Sequence, residues 1–151
     1  MSHTAMYWLA DKIGKETKLW NTKLIYGTND STWKEPIRKS DIKKIVEETN
    51  KSIFDKNGII IMSVGINSKW NSEDDENYIP KGGKIAYYHF IVVLDMQMKP
   101  NGAVRMFIVD SMGSDHKGYF GWVNSEAYTS QLPYNNDVYT GIRNIYGLVP
   151  M

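Results

Sequence analysis

The chain has 151 residues, contains no cysteine and carries a formal charge of +1, with 18 basic and 17 acidic residues. This length predicts a single domain over residues 1–151, while the lack of cysteine excludes disulfides, thiolate metal ligands and a thiol nucleophile. The balanced charge argues against a nucleic-acid partner, and no apolar run approaches the roughly 18 residues that membrane insertion requires. No signal peptide is visible, so the sequence leaves the compartment open.

The N-terminal half predicts two helices and a buried strand. Apolar residues recur at helical spacing within residues 4–14, which predicts a buried first helix that ends at Gly14. A second, amphipathic helix is expected over residues 40–55, with Ser40 as its N-cap. Residues 59–66 form a continuous apolar run of strand length, which we expect near the centre of a sheet.

The middle of the chain predicts a polar loop and then two paired strands. The loop, residues 67–83, contains the acidic run Glu73-Asp74-Asp75-Glu76, which we interpret as solvated rather than cation-binding. Residues 87–95 and 106–111 are rich in β-branched and aromatic side chains. The turn signal at residues 99–102 between them predicts an antiparallel pair.

The remaining segments complete an α+β prediction. Residues 123–128 are expected to begin a short helix, and the tail has strand character at residues 138–139 and 142–146. A further short strand is expected at residues 24–26. We therefore predict an α+β domain in which a buried N-terminal helix and a second helix pack on a mainly antiparallel sheet.

His89 enters the first strand of the predicted pair and Asp110 leaves the second. Because side chains alternate between the faces of a strand, the register decides whether the two meet. A two-residue turn at Asn101-Gly102 would leave them about 13 Å apart along the strand. Direct pairing needs a wider loop, centred between Lys99 and Pro100, or a bulge, and both loops keep the two residues on one face. A histidine held by an aspartate is the general-base half of a nucleophilic site.

The order of elements resembles that of papain-like cysteine peptidases, and most of all the small bacterial branch of leader peptidases, papain-fold toxins and deamidases. Three segments carry the resemblance: NGIIIMSVGI, HFIVVLD and MFIVDSMG. In that family an apolar strand is followed by a strand opening with His and by a strand ending in Asp before a Gly. The resemblance extends from the first helix to about Trp122. It implies a papain-like fold, with His89 as general base and Asp110 as the residue that orients it.

The family's cysteine belongs near the start of the first helix, where this chain has Ala5. A helix N-terminus suits a thiol nucleophile, because its dipole lowers the thiol pKa and its N–H groups stabilise an oxyanion. The resemblance therefore implies that Ala5 occupies the slot of the nucleophile, either in a catalytic mutant or in a natural pseudoenzyme. As written, the chain is expected to be inactive.

The resemblance also implies a class of substrate and of partner. The parent activity would be that of a hydrolase without a cofactor: a peptidase, a peptidoglycan amidase or a glutamine deamidase, as found in secreted or delivered toxins and effectors. Partners would be a peptide, a peptidoglycan stem peptide or a protein substrate, and an inhibitor or immunity protein. His3, Tyr88 and Trp122 are expected to line the substrate side. The start of the chain so close to the working helix suggests a domain excised from a longer polypeptide.

Two other interpretations stay open, and a third, a metal site, is not expected. A non-catalytic module could use the same cleft to bind a peptide or protein. The 5 Trp and 10 Tyr residues could line a carbohydrate-binding groove, although aromatic side chains in small domains more often pack in the core. His3, His89 and His116 could join Asp110 or Asp115 in a metal site, but no pair has a tight ligand spacing, so we expect no metal.

Overall fold

The computed structural model describes residues 3–28, 36–67, 87–110, 117–123, 126–129 and 138–151. Within these ranges the chain is α+β, as the sequence predicts. The helices are α1 (His3–Thr17) and α2 (Ile42–Ser52), and the strands are β1 (Trp20–Tyr26), β2 (Ile59–Asn67), β3 (Tyr87–Met98), β4 (Val104–Asp110), β5 (Lys117–Val123), β6 (Glu126–Thr129) and β7 (Val138–Pro150). In the same ranges, neither helix combines the length and the apolar character needed to cross a bilayer.

The described strands form one sheet in the order β1-β7-β2-β3-β4-β5-β6. Every neighbouring pair in it is antiparallel. β2 lies between β7 and β3, which confirms the interior position expected from its apolar sequence, and β3 and β4 form the predicted pair. The C-terminal strand β7 is inserted between β1 and β2, so the first and last described strands are neighbours in the sheet.

Adjacent residues of β1 show that the two helices cover opposite faces of the sheet. Thr22 donates a hydrogen bond from Oγ1 to Oδ1 of Asp11 in α1, at 2.5 Å. Lys23, the next residue, donates from Nζ to Glu48 and Ser52 of the α2 layer, at 3.1 and 2.9 Å. Because successive side chains of a strand point to opposite faces, α1 and α2 form separate layers.

The main hydrophobic core lies between α2 and the sheet. The predicted amphipathic character of the second helix is confirmed, since one face of it buries Ile45, Val46, Thr49 and Ser52. Ile45 and Val46 form one core cluster with side chains from β2, β3, β4 and β7, which include Ile60, Met62, Ile91, Ile108 and Ile145. Gly147 of β7 lies under Ile53, just after α2, and a Cβ at this glycine would overlap the Cδ1 atom of Ile53.

The second helix is shorter than predicted. Separate 3₁₀ turns at Lys39–Asp41 and Phe54–Lys56 flank α2, so residues 40–55 do not form one helix. The N-cap is Asp41 rather than Ser40, and no side-chain hydrogen bond caps this end. Asn57 then adopts a left-handed conformation with φ of 59°, which turns the chain toward β2.

The first helix is not buried, contrary to the prediction. Trp8, Leu9 and Ile13 are 58%, 37% and 38% exposed, respectively. The reason is that α1 packs on β1 and β7 through one side. Apolar periodicity identified the helix but could not show that its stripe is wider than the surface available to cover it.

Aromatic side chains attach α1 to the sheet. The Trp20 indole donates to the backbone carbonyl of Ala10 at 3.0 Å, and the rings of Tyr7 and Tyr146 meet edge to face with 5.5 Å between centroids. Within the described part of the chain the buried Tyr146 hydroxyl has no hydrogen-bond partner, and burial raises the pKa of this group. Gly14 does not end the helix; it allows Trp20 to approach, because a Cβ there would lie 2.5 Å from the Trp20 carbonyl oxygen.

The C-terminal expectations have mixed outcomes. The strand character at residues 138–139 and 142–146 is confirmed within β7, and that at residues 24–26 within β1. The helix predicted over residues 123–128 is wrong, because Glu126–Thr129 pairs with β5 as a strand and this pairing overrides the local helix signal. Of the polar loop predicted over residues 67–83, Asn67 is the last residue of β2, and the remainder, including the acidic run, lies outside the described residues.

Candidate active site

The loop between β3 and β4 differs from both loops considered from the sequence. Residues 99–103 connect the two strands; Lys99 and Ala103 pair by a hydrogen bond, which leaves a loop of three residues, 100–102, that ends at Gly102, whose φ is 84°. The Gly102 N–H donates to the Lys99 carbonyl at 2.9 Å, and the Lys99 N–H donates to the Ala103 carbonyl at 2.7 Å. A glycine is suited to this position because it adopts a positive φ without strain.

A β-bulge at Leu94 decides which face Asp110 occupies. The three-residue loop alone would set Asp110 opposite Val92, whose side chain points away from the face of His89. Leu94 is an extra residue on β3, and beyond it Asp110 is paired with Ile91 instead. The prediction that His89 and Asp110 share a face is therefore confirmed, with the bulge as its cause. They are diagonal neighbours rather than a directly opposed pair.

His89 and Asp110 are in hydrogen-bond contact. The His89 Nε2 atom lies 2.5 Å from Oδ1 of Asp110, and the two side chains are 11% and 0% exposed. An ionised carboxylate can only accept, so Nε2 carries the proton and donates it. Proton exchange with a reacting group would therefore use Nδ1, the ring nitrogen that does not contact Asp110.

Tyr139 of β7 is a third member of this cluster. Its hydroxyl donates to Oδ2 of Asp110, and the residue is 3% exposed. Two strands, β2 and β3, separate β7 from β4, a distance of about 14 Å in a flat sheet. The contact shows that the sheet curls at this end, which brings side chains of distant strands together. Sequence analysis identified the strand around Tyr139 but could not identify its partner.

The cluster faces the layer of α2. His89 is paired with Val64 on β2, which shares its face with Ile60 four residues earlier. Ile60 is paired with Gly147, the residue over which Ile53 packs. His89, Asp110 and Tyr139 therefore project from the face of the sheet that α2 covers.

The structure does not bring Ala5 or Tyr88 to this cluster. Ala5 is exposed and belongs to α1, whose Tyr7 contacts Tyr146 on the opposite face. Tyr88 immediately precedes His89 on β3, so its side chain points to the opposite face of the sheet as well. The Arg143 guanidinium lies over its ring, 4.2 Å from the centroid, and burial lowers the pKa of Arg143. The geometry therefore does not support Ala5 as the nucleophile slot or Tyr88 as a wall of the site.

Other predicted site residues lie outside what the structure describes. His3 begins α1 and Trp122 lies on β5, but neither side chain is among the described groups, and His116 and Asp115 are also outside. In the described ranges, no group of three or more His, Asp or Glu side chains is arranged to hold a metal ion. The core of the site is therefore His89, Asp110 and Tyr139.

Comparisons with protein-family models, with curated proteins and with solved structures give no match for this chain.

Proposed function

We propose that this chain is a papain-like amidohydrolase domain that keeps its general-base pair and lacks its thiol nucleophile. The observation that carries the proposal is the 2.5 Å contact between Nε2 of His89 and the buried carboxylate of Asp110. The order of strands supports it, since β2, β3 and β4 are neighbours, with the histidine near the start of β3 and the aspartate at the end of β4. The parent activity is peptide hydrolysis, peptidoglycan-peptide cleavage or glutamine deamidation.

In the proposed reaction His89 transfers protons and Asp110 holds its ring. The Nδ1 atom takes the proton of a thiol as sulfur bonds to the amide carbon, and it returns that proton to the leaving nitrogen as the C–N bond breaks. Water then attacks the thioester with Nδ1 as base, the C–S bond breaks and the thiol regains a proton. Because the chain contains no cysteine, we expect it to turn over no amide.

Two positions for the missing thiol can be compared. The resemblance to papain-like enzymes places the nucleophile at Ala5. His89, however, lies on the face of the sheet that α2 covers, which favours a nucleophile in the segment that leads into α2. Ser40 is exposed in the 3₁₀ turn that immediately precedes α2. The variants Ala5→Cys and Ser40→Cys therefore place one thiol beside each helix start, in otherwise identical chains.

The experiment measures alkylation of each thiol by iodoacetamide between pH 5 and 9, together with release of ammonia or amine from glutamine-containing peptides. A thiol activated by His89 reacts with iodoacetamide at pH values well below the usual thiol pKa of about 8.5. It loses this reactivity when His89→Ala is added. The second change is an essential control, because a helix N-terminus lowers a thiol pKa without any histidine. Ordinary thiols at both positions, insensitive to His89→Ala, would overturn the proposal.

A non-catalytic binding module is the second candidate. The lack of cysteine and the position of α1 on the other face favour it, because both remove the nucleophile from the site. In that case, His89→Ala weakens capture of a peptide or protein ligand, while neither cysteine variant gains activity. A peptide library screened against the original chain and against His89→Ala distinguishes the two functions.

A further inference from the structure

We propose that Tyr139 is a positioning residue that holds the Asp110 carboxylate in the orientation His89 requires. This inference rests on the proposed function for its catalytic meaning, but the contact itself can be tested without any activity. Tyr139 acts through Asp110, since the contact shown is between its hydroxyl and Oδ2 of that residue.

The two oxygens of Asp110 have different donors. Oδ1 accepts from the His89 ring, and Oδ2 accepts from the Tyr139 hydroxyl. A carboxylate held through one oxygen can rotate about its Cβ–Cγ bond, whereas donors on both oxygens fix the plane of the group. The direction of the His89 ring then follows from the fixed plane of the carboxylate.

Burial makes this arrangement more effective. Counted as whole residues, Asp110 and Tyr139 are 4% and 3% exposed, so water competes little for either carboxylate oxygen of Asp110. A hydrogen bond to a charged group in such surroundings is stronger than one between neutral groups, and it polarises the next bond in the chain. Tyr139 also lies on β7, so the position of Asp110 on β4 depends on the curl of the whole sheet.

The test observes the imidazole Nε2–H proton of His89 by NMR in chains labelled with ¹⁵N-histidine. In the original chain we expect this proton to give a low-field resonance and to exchange slowly with water. The resonance is assigned by its loss in Asp110→Asn, which removes the carboxylate that accepts the hydrogen bond. Tyr139→Phe retains the ring and removes the donor. We expect its Nε2–H proton to exchange roughly tenfold faster or more, the factor typical for loss of one charge-assisted hydrogen bond.

Ile66→Val provides the matched control, because Ile66 is paired with Tyr139 and the change loosens the same part of the core while keeping the hydroxyl. We expect this variant to retain slow exchange of the His89 proton. An unchanged rate in Tyr139→Phe, or an equal increase in Ile66→Val, would overturn the positioning role.

A second measurement covers the case in which Tyr139→Phe does not fold. Replacing Tyr139 by 3-fluorotyrosine makes its hydroxyl a stronger hydrogen-bond donor to Asp110. The stronger bond draws negative charge from the carboxylate, so the His89 Nε2–H resonance should shift to higher field. A resonance that does not move counts against the proposal. Absence of amide activity in the cysteine variants would contradict the proposed function but would leave these NMR results unaffected.

Discussion

At the scale of single residues, Gly147 shows how a missing side chain positions the core. It lies on β7 beneath Ile53, which is fully buried, and a Cβ at this position would overlap the Cδ1 atom of Ile53. The glycine is therefore needed for close approach of the α2 layer rather than for an unusual backbone conformation. Sequence patterns do not reveal such a requirement, because the partner is distant in the chain.

We expect Gly147→Ala to lower the free energy of unfolding by about 1–3 kcal/mol, the usual cost of overfilling a packed core. Urea denaturation followed by circular dichroism measures this change. Ile53→Val removes the nearest clashing atom, so the double variant should be more stable than the sum of the two single changes predicts. Additive losses would show that the clash is relieved elsewhere.

At the scale of elements, the β3–β4 hairpin assembles the site through two local features that act together. Its three-residue loop sets a register that alone would direct His89 and Asp110 to opposite faces. The extra residue Leu94 then changes the register by one position, and the faces coincide. Strand composition predicted the hairpin, whereas the bulge has no sequence signal as clear as the turn.

Deletion of Leu94 should therefore separate His89 from Asp110. We expect the deletion variant to lose the slowly exchanging Nε2–H resonance of His89. Alternatively, the variant loses stability, because the one-residue shift in pairing turns the buried side chains of one strand away from the core. Leu94→Ala keeps the residue count and the bulge, and should retain the resonance. A deletion variant with the original stability and the original resonance would contradict this account of the register.

At the scale of the whole molecule, the sheet separates two layers with different character. The α2 layer covers the main core, and the His89–Asp110–Tyr139 cluster projects from the same face of the sheet. The α1 layer is attached by hydrogen bonds and aromatic contacts and leaves apolar side chains exposed. Because α1 and the cluster lie on opposite faces, β3 and β4 bring His89 and Asp110 together as expected, whereas α1 does not bring Ala5 to them.

Adjacent substitutions on β1 test this layering. Thr22→Val removes the hydrogen bond to Asp11, and we expect amide exchange in residues 3–17 to accelerate by roughly two- to tenfold. Lys23→Met removes the contacts to Glu48 and Ser52, and a smaller acceleration is expected in residues 42–52, because an exposed ion pair contributes little. Hydrogen–deuterium exchange measured by mass spectrometry resolves the two segments. If both variants accelerated amide exchange in the same helix, the assignment of Thr22 and Lys23 to opposite faces would be contradicted.

The sequence by itself determined the features that depend on local physics. Periodic apolar residues predicted both helices, and β-branched runs predicted β2, β3 and β4. These predictions succeeded because neighbours in the chain decide helix and strand formation. The shared face of His89 and Asp110 was also predicted, but it results from the Leu94 bulge, for which the sequence has no clear signal.

Only the tertiary structure decided the features that join distant parts of the chain. β7 enters the sheet between β1 and β2, which carries Tyr139 to Asp110 once the sheet curls. The face covered by α1, and with it the position of Ala5 relative to His89, likewise depends on packing between segments far apart in sequence. Long-range pairing and layer packing arise from the burial of many side chains together, so no local pattern specifies them.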